Sequence, residues 1–292
     1  MESINLSTQL ESNEKEITTV DLYDEATQDY EFWSKDFNMH FGYYSFNSTS
    51  LLKRDTMLNE MNNQVLKRLH VLKGDKTMID LGCGVGNSMR YALSRNSDLK
   101  ATGVTLSKYQ VDLGNQLLEP YNTSIELQNY NNTSFDSNSF DAALAIESFC
   151  HGGHSITSLR EAHRILKPGG RLVIADAFLK KNHQQLCSGG RFAYNKLCNH
   201  WDLDQLENIN NYKFNLEKVG FKNVKVEDVS FRVAPSVLHV PFAIAGFVIK
   251  ELFNKRTFKK ESLHNLKGSF YALLSGLHMK SFGYYLITAT KG

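Results

Sequence analysis

Apolar and polar positions change period several times along the chain, and those changes divide it into elements. In YDEATQDYEFWSKDF (23–37) apolar or aromatic residues recur at 23, 26, 30, 33 and 37, which predicts a helix burying Tyr30 and Trp33. A second amphipathic helix is expected from about Leu51 to Leu72, ended at Gly74. Between them NMHFGYY (38–44) gathers aromatics, a histidine and a glycine without a clear period. Such a cluster either simply packs or closes over a ligand.

Short apolar runs follow, separated by helical stretches. TMIDL from Thr77, KATGVTL (100–106), IELQNY (125–130), FDAALAIES (140–148) and GRLVIADAF (170–178) read as strands. SMRYALSR, the stretch from Ser107 to about Leu118, and the stretch carrying Ile156, Leu159, Ala162, His163 and Leu166 read as helices. Strand–helix alternation predicts an α/β fold, a doubly wound sheet with right-handed crossovers, whose ligands sit beyond the carboxyl ends of the strands. Past Phe178 the pattern becomes a helical region at 203–219, a strand at about 223–233, an apolar then basic helical stretch at 235–280, and a last strand, FGYYLITATK (282–291). The stretch 235–280 is thus an insertion between two late strands, too apolar for a free loop.

Composition narrows the class. At 292 residues, 41% hydrophobic and 22% charged, with a net charge of +2, the chain is long enough for one large α/β domain or for a core domain carrying an elaborate cap, and offers no general argument for nucleic acid. Charge is uneven: residues 1–31 hold nine acids against Lys15, whereas 250–267 hold six Lys/Arg against Glu251 and Glu261. Cys83, Cys150, Cys187 and Cys198 form no CxxC, which favours a reducing compartment and a cytoplasmic protein. VAPSVLHVPFAIAGFVI (233–249) is broken by two prolines and a histidine and is marginal for a membrane span.

The chemistry centres on TMIDLGCGVGN (77–87). A strand ends at Asp80, Gly82, Gly84 and Gly86 follow at alternate positions, and a helix opens at Asn87. Glycines there let the backbone turn and lie against a ligand, while the helix aims free N–H groups at the same spot. A nicotinamide dinucleotide site needs G-x-G-x-x-G and an acid ending the second strand. Here the spacing is G-x-G-x-G and the second strand ends at Thr105. A P-loop is excluded because no Gly-Lys-Ser/Thr follows.

IDLGCGVG (79–86), GVTLSKYQ (103–110), FDAALAIESFCH (140–151) and ILKPGGRLVIAD (165–176) resemble, in order and at the right intervals, motifs of class I S-adenosylmethionine-dependent methyltransferases. GVTLSKYQ is similar to sterol and cyclopropane-fatty-acid members. ESFCH with HRILKPGG, and WSKDFNMHFGYY, are similar to sterol C-methyltransferases; tocopherol and ubiquinone-pathway enzymes belong to the same small-molecule group. The resemblance implies a Rossmann-like sheet, mostly parallel with an antiparallel last strand. The match spans about 23–232 and the final strand, and with the pattern along the chain it divides the protein into a disordered acidic tail (1–20), an N-terminal helical lid (21–74), a cofactor-binding core (75–234 and 281–292) and a helical substrate cap (235–280).

It also implies site residues. Asp80 and the backbone at Gly82, Gly84 and Gly86 would hold the methionine and ribose part of S-adenosylmethionine. Backbone at Thr105 and Leu106 with the Gln110 amide would take the ribose hydroxyls, although Gln110 is equally readable as an exposed helix residue. Asn129 stands where many members have an adenine-binding Asp, with Tyr130 beside the ring, and Glu147 lines the junction with the acceptor. Methyl transfer rests mainly on alignment, and a general base helps when the acceptor loses a proton. His151 is the first candidate base and Glu147 the second; for alkene carbon methylation Glu147 and Tyr43 would instead steady a carbocation. His151 and His154 lack a third ligand, so no metal is expected. The apolar insertion favours an apolar or amphipathic small-molecule acceptor, with no nucleic-acid partner. The lysines of 250–267 either meet an anionic head group or membrane surface, or form a solvated helix face. Methylation of a phosphorylated or protein acceptor, and cofactor binding without turnover, remain the alternatives.

Overall fold

The computed structural model describes Thr27 and residues 33–121, 123–152, 155–253 and 260–292. The tail 1–20, all of the expected 23–37 helix before Trp33 except Thr27, His154, and Lys255, Arg256, Phe258 and Lys259 of the basic run lie outside the described residues.

Seven strands form one sheet: β1 (Thr77–Leu81), β2 (Lys100–Thr105), β3 (Ser124–Leu127), β4 (Phe140–Ile146), β5 (Leu166–Leu179), β6 (Phe221–Asp228) and β7 (Phe282–Lys291). Their order is β3-β2-β1-β4-β5-β7-β6. β1 to β5 run parallel, and β7 enters antiparallel between β5 and β6. The order reverses at β1, next to β4, which is where this class of sheet opens a crevice for ligands.

Alternation along each strand feeds two cores. In β4, Ala143 and Ala145 face one layer with Leu159, Ala162 and Ile165 of α4 (Ser155–Ile165) and Tyr212 and Leu216 of α6 (Ile209–Val219). Ala142 and Leu144 face the other, with Met61, Val65 and Leu66 of α1 (Arg54–Leu69), Met89 of α2 (Asn87–Leu93) and Leu118 of α3 (Lys108–Leu118). The sheet is buried on both faces, as the near-continuous apolar strands require.

Beyond the sheet stand α5 (Ser188–His200), α7 (Ser230–Val237), α8 (Val240–Phe253) and α9 (Lys260–Leu277). α9 packs along α5, and a third core of Leu186, Tyr194, Leu197, Leu203, Leu206 and Phe282 fills the space beneath them. The inserted helices α7 to α9 lie between β6 and β7, as expected.

Several boundaries differ from expectation, each for a local reason. α1 ends at Leu69 because His70 turns left-handed (φ 61°), four residues before Gly74. β3 stops at Leu127 because Asn129 Oδ1 accepts from the Asn131 N–H at 2.8 Å, closing a turn the strand cannot continue through. β6 stops at Asp228, whose carboxylate caps Ser230 N–H at 3.0 Å and starts α7 where a strand was expected to run to 233. α5 falls in a stretch to which the hydrophobic pattern assigned no element.

Candidate active site

The loop after β1 is tied down before any ligand enters. Gly82 and Cys83 N–H both donate to Val104 O at 3.0 Å, and Gly86 N–H closes on Cys83 O at 2.9 Å. Gly82 and Gly84 have φ of +90° and +54°, where side chains are strained. A Cβ on Gly82 would lie 2.4 Å from Ser148 Cβ, and one on Gly84 2.8 Å from Met39 Sδ. Gly86 serves differently: it caps α2 and rests against Ile125 and Leu118, away from the cavity wall.

These glycines floor a cavity of about 840 Å³. Asp80, Gly82, Gly84, Thr105, Leu106, Gln110, Asn129, Tyr130, Glu147 and His151 all line it. Tyr43 does not; its backbone N–H bonds Met57 O at 2.8 Å and its ring packs against the core beneath α1. The aromatics that do line the cavity include Tyr284, Trp201 and Phe41.

At the donor end, Asp80 is buried, and no hydrogen-bond donor among the described residues reaches its carboxylate; burial pushes its pKa up to about 7. A buried carboxyl left in this state, beside glycines that leave room, suits an incoming cation such as an α-ammonium group. Gln110 is buried, not exposed: Thr105 Oγ1 donates to its Oε1 at 2.6 Å, its Nε2 donates to Thr27 Oγ1 at 3.0 Å, and Ser107 caps its N–H at 3.0 Å. A neutral Thr105–Gln110 pair thus stands where other sites place an acid. Asn129 spends a lone pair on the Asn131 turn, and Tyr130 donates to Ser148 O at 2.7 Å while tilting on Phe149. The residues present fit S-adenosylmethionine: Asp80 for its amine, Gly82 and Gly84 for close backbone approach, Thr105 and Gln110 for hydroxyls.

Farther along the cavity, Glu147 follows β4 with φ +50°, a strained conformation held by Glu147 N–H to Ala175 O at 2.8 Å and Ser148 Oγ to Leu81 O at 2.6 Å. Its Oε1 accepts from Phe41 N–H and from Tyr284 O–H, both at 2.7 Å. Burial, against those two bonds, pushes its pKa up to about 8. Asp176 stands nearby on β5, accepting from Ala177 N–H at 2.8 Å and Cys150 N–H at 3.2 Å, and burial raises it to about 6. His151, at the end of a short 3₁₀ turn (Phe149–His151), completes this wall.

Sequence reasoning missed Asp176, Tyr284 and Asn38. Asp176 follows Ala175, the last β5 residue paired to β4, much as Asp80 sits near the end of β1, and an acid at that place is the signal that marks it. Tyr284 is marked by alternation in GYY: it faces the cavity while Tyr285 faces Phe178. Asn38 accepts from Asn62 Nδ2 at 3.0 Å and from Asn87 Nδ2, and Ser88 Oγ bonds Asn62 Oδ1 at 2.8 Å. Through Asn38 the segment before α1 is clamped onto the N-terminus of α2. Gly42 N–H to Ser236 Oγ at 2.8 Å and Tyr44 N–H to Arg232 O at 2.6 Å fix the same segment to α7.

Comparison with known proteins agrees with this geometry. Residues 79–174 match the family described as "Methyltransferase domain". Methyltransferase GfsG of Streptomyces halstedii is 29% identical over 220 residues, 74% of this chain and 77% of that protein. The 27-O-demethylrifamycin SV methyltransferase of Amycolatopsis mediterranei is 24% identical over 87% of this chain and 90% of its own. Among solved structures, geranyl diphosphate C-methyltransferase from Streptomyces coelicolor A3(2), holding Mg2+, geranyl-S-thiolodiphosphate and S-adenosyl-L-homocysteine, superposes with a TM-score of 0.71 at 18% identity, over 95% of this chain and 98% of that one. That likeness speaks for the fold. The chain carries a methyltransferase domain at 79–174, and its sequence matches, sheet order and cradle are those of an S-adenosylmethionine-dependent methyltransferase with the Rossmann-like sheet.

Proposed function

We propose that this enzyme methylates an apolar or amphipathic small molecule that is not a phosphate ester. The observation that carries this reading is the make-up of the cavity above the cradle. Its donor end is the glycine cradle, whereas its far end is walled by Leu197, Trp201 and Leu203, by Val233 and Val237 of α7, and by Leu273 of α9. Among the described residues no Lys or Arg lines it, while Asp80, Glu147, Asp176 and Asp204 do. A phosphate or diphosphate would meet carboxyls with no counter-charge, so the phosphorylated alternative is disfavoured.

Bound S-adenosylmethionine supplies an electrophilic methyl carbon on a sulfonium. The chain's residues then have three tasks. Asp80 and the cradle fix the donor end, and the apolar wall of α5, α7 and α9 excludes water and orients the acceptor. Glu147 is the group we assign to receive an acceptor proton or to face positive charge developing on an alkene. A carboxyl poised near the working pH suits the first task, and its bonds from Tyr284 and Phe41 hold it in place for either. His151 shares the wall and is the second group for the proton. The relatives' acceptors support small molecules as the substrate class, a rifamycin precursor in one and a 24-methylenesterol in another. Cys83 and Cys150 are free thiols in the cavity wall, which supports a reducing, cytoplasmic setting.

The test is transfer of label from methyl-tritiated S-adenosylmethionine into extracts, followed by partition. The reading expects label in the organic phase. Label confined to protein, or to water-soluble phosphate esters, overturns it.

A further inference from the structure

A helix apolar around its whole circumference is normally covered on every side. α8 breaks that rule. Val240, Ala243, Ile244 and Phe247 face inward, toward Trp33, Phe41 and Trp201. On the opposite stripe, at spacings of seven and four, Phe242 is 77% exposed, Ile249 53% and Phe253 83%. α7 repeats the arrangement, with Val233 and Val237 on the cavity and Phe231 81% exposed.

A second segment extends this face. The loop before α1 exposes Phe46 and Leu52, at 81% and 90%, and is pinned beside the α7–α8 junction by His239 Nε2 to Leu51 O at 2.8 Å and by Tyr44 N–H to Arg232 O at 2.6 Å. Residues 45–54 and 230–250 together carry Lys53, Arg54, Arg232 and Lys250 and no acid. Acids adjoin the face in sequence at Asp55, beside Arg54, at Glu251 and at Asp228, the last held by Lys180 at 2.6 Å. Arg54 lies over the Trp33 ring, so Lys53 and Arg232 are the rim cations on which the charge argument rests.

We infer that this face, α7, α8 and the 46–52 loop, docks on an anionic lipid surface. Exposed aromatics in a basic rim are the chemistry of an interfacial contact, with rings at the acyl boundary and cations at the head groups. A second copy of the chain is the poorer occupant, because a two-fold contact would set like charges against each other. The span Ser230–Lys250 is long and apolar enough to cross a membrane, but here it is two helices meeting at Leu238–His239, the inner side of α7 lining the cavity and that of α8 facing Trp33, Phe41 and Trp201. It therefore lies on the surface. An acceptor dissolved in the bilayer would meet α7, whose other side already walls the cavity.

Flotation of the full chain tests this with vesicles of phosphatidylcholine alone and of phosphatidylcholine mixed with phosphatidylglycerol. Neither donor nor acceptor is present, so the outcome is independent of which molecule is methylated. The wild type should float with the mixed vesicles and weakly with phosphatidylcholine alone. Phe242→Asp with Phe253→Asp should abolish flotation at an unchanged melting temperature. Lys53→Gln with Arg232→Gln should weaken binding to the mixed vesicles by about fivefold per charge removed; this pair leaves the aromatics intact and serves if the first variant misfolds. Absence of wild-type flotation with mixed vesicles overturns the inference, as does wild-type flotation by both variants. A concentration-dependent dimer that the Phe242/Phe253 variant breaks, without vesicle binding, assigns the face to a second copy and also overturns it.

Discussion

Tyr284 and Glu147, 137 residues apart in sequence, meet at 2.7 Å, hydroxyl to carboxylate Oε1. The contact joins the last strand to the end of β4 at the wall where donor and acceptor ends of the cavity meet. Burial keeps the Glu147 carboxyl at about 8, and Tyr284 is itself pushed well above its ordinary value, first by burial and then by that carboxyl. Glu147→Gln, which keeps the shape and an acceptor oxygen, should lower kcat by about 10²–10⁴ with S-adenosylmethionine affinity little changed. Tyr284→Phe should cost about tenfold, the loss of one hydrogen bond to a charged group. Steady-state kinetics beside calorimetric titration checks both; an unchanged kcat in Glu147→Gln moves the role to His151.

Three buried carboxyls make the stability of the cofactor-free protein fall with pH, against smaller shifts at His40, His163 and His200, which burial holds below their ordinary values and which act the other way through the imidazole range. Asp80, Glu147 and Asp176 hold protons more tightly folded than unfolded, with folded values of about 7, about 8 and about 6. As pH rises from about 4 to about 8 the unfolded chain loses those protons first, so stability falls across that window. Asp141, Glu161, Glu227 and Asp228 are shifted downward by hydrogen bonds and ion pairs, and their stabilisation is lost only below about pH 4, so the two effects separate. Differential scanning should give a melting temperature several degrees lower near pH 8 than near pH 5. A flat or rising trend would contradict this assignment.

Much of this was legible in the sequence. β1, β2, β4 and β5 are short apolar runs whose partners lie on both faces, and Ser107 announces its helix by capping it. The cradle was readable from spacing alone. α5 was not, because SGGRFAYNKLCNH puts two glycines in its first turn. It is held by α9, whose Gly268 admits the Trp201 indole just beyond α5, and no local pattern reports that. The failure at Tyr43 has the same origin: which of several clustered aromatics faces a cavity depends on distant partners, here Met57 for Tyr43 and Glu147 for Phe41.

Asn38 is the test of the clamp over the cradle. Asn38→Ala removes the oxygen that accepts from Asn62 and Asn87, leaving two buried amides without an acceptor at a cost of about 1–3 kcal/mol. A lower melting temperature and weaker cofactor binding are expected together. Lost stability at unchanged cofactor affinity would make the clamp purely structural.

Gly84→Val should separate cradle from fold. At φ +54° a side chain costs about 1–3 kcal/mol, and Met39 must move from the added Cβ. The protein should remain folded by circular dichroism and lose measurable S-adenosylmethionine binding. Wild-type affinity in this variant would remove Gly84 from the donor site.

The central claim is that one cavity seats the methyl donor on the Gly82–Gly84 cradle and points its reactive end toward Glu147 and the apolar wall. A crystal structure with S-adenosylhomocysteine measures this directly. The account predicts the amino group beside Asp80, the ribose near Thr105 and Gln110, and the thioether sulfur facing the Glu147–Tyr284 pair. Density for the ligand elsewhere, or a sulfur turned away from Glu147, would contradict it.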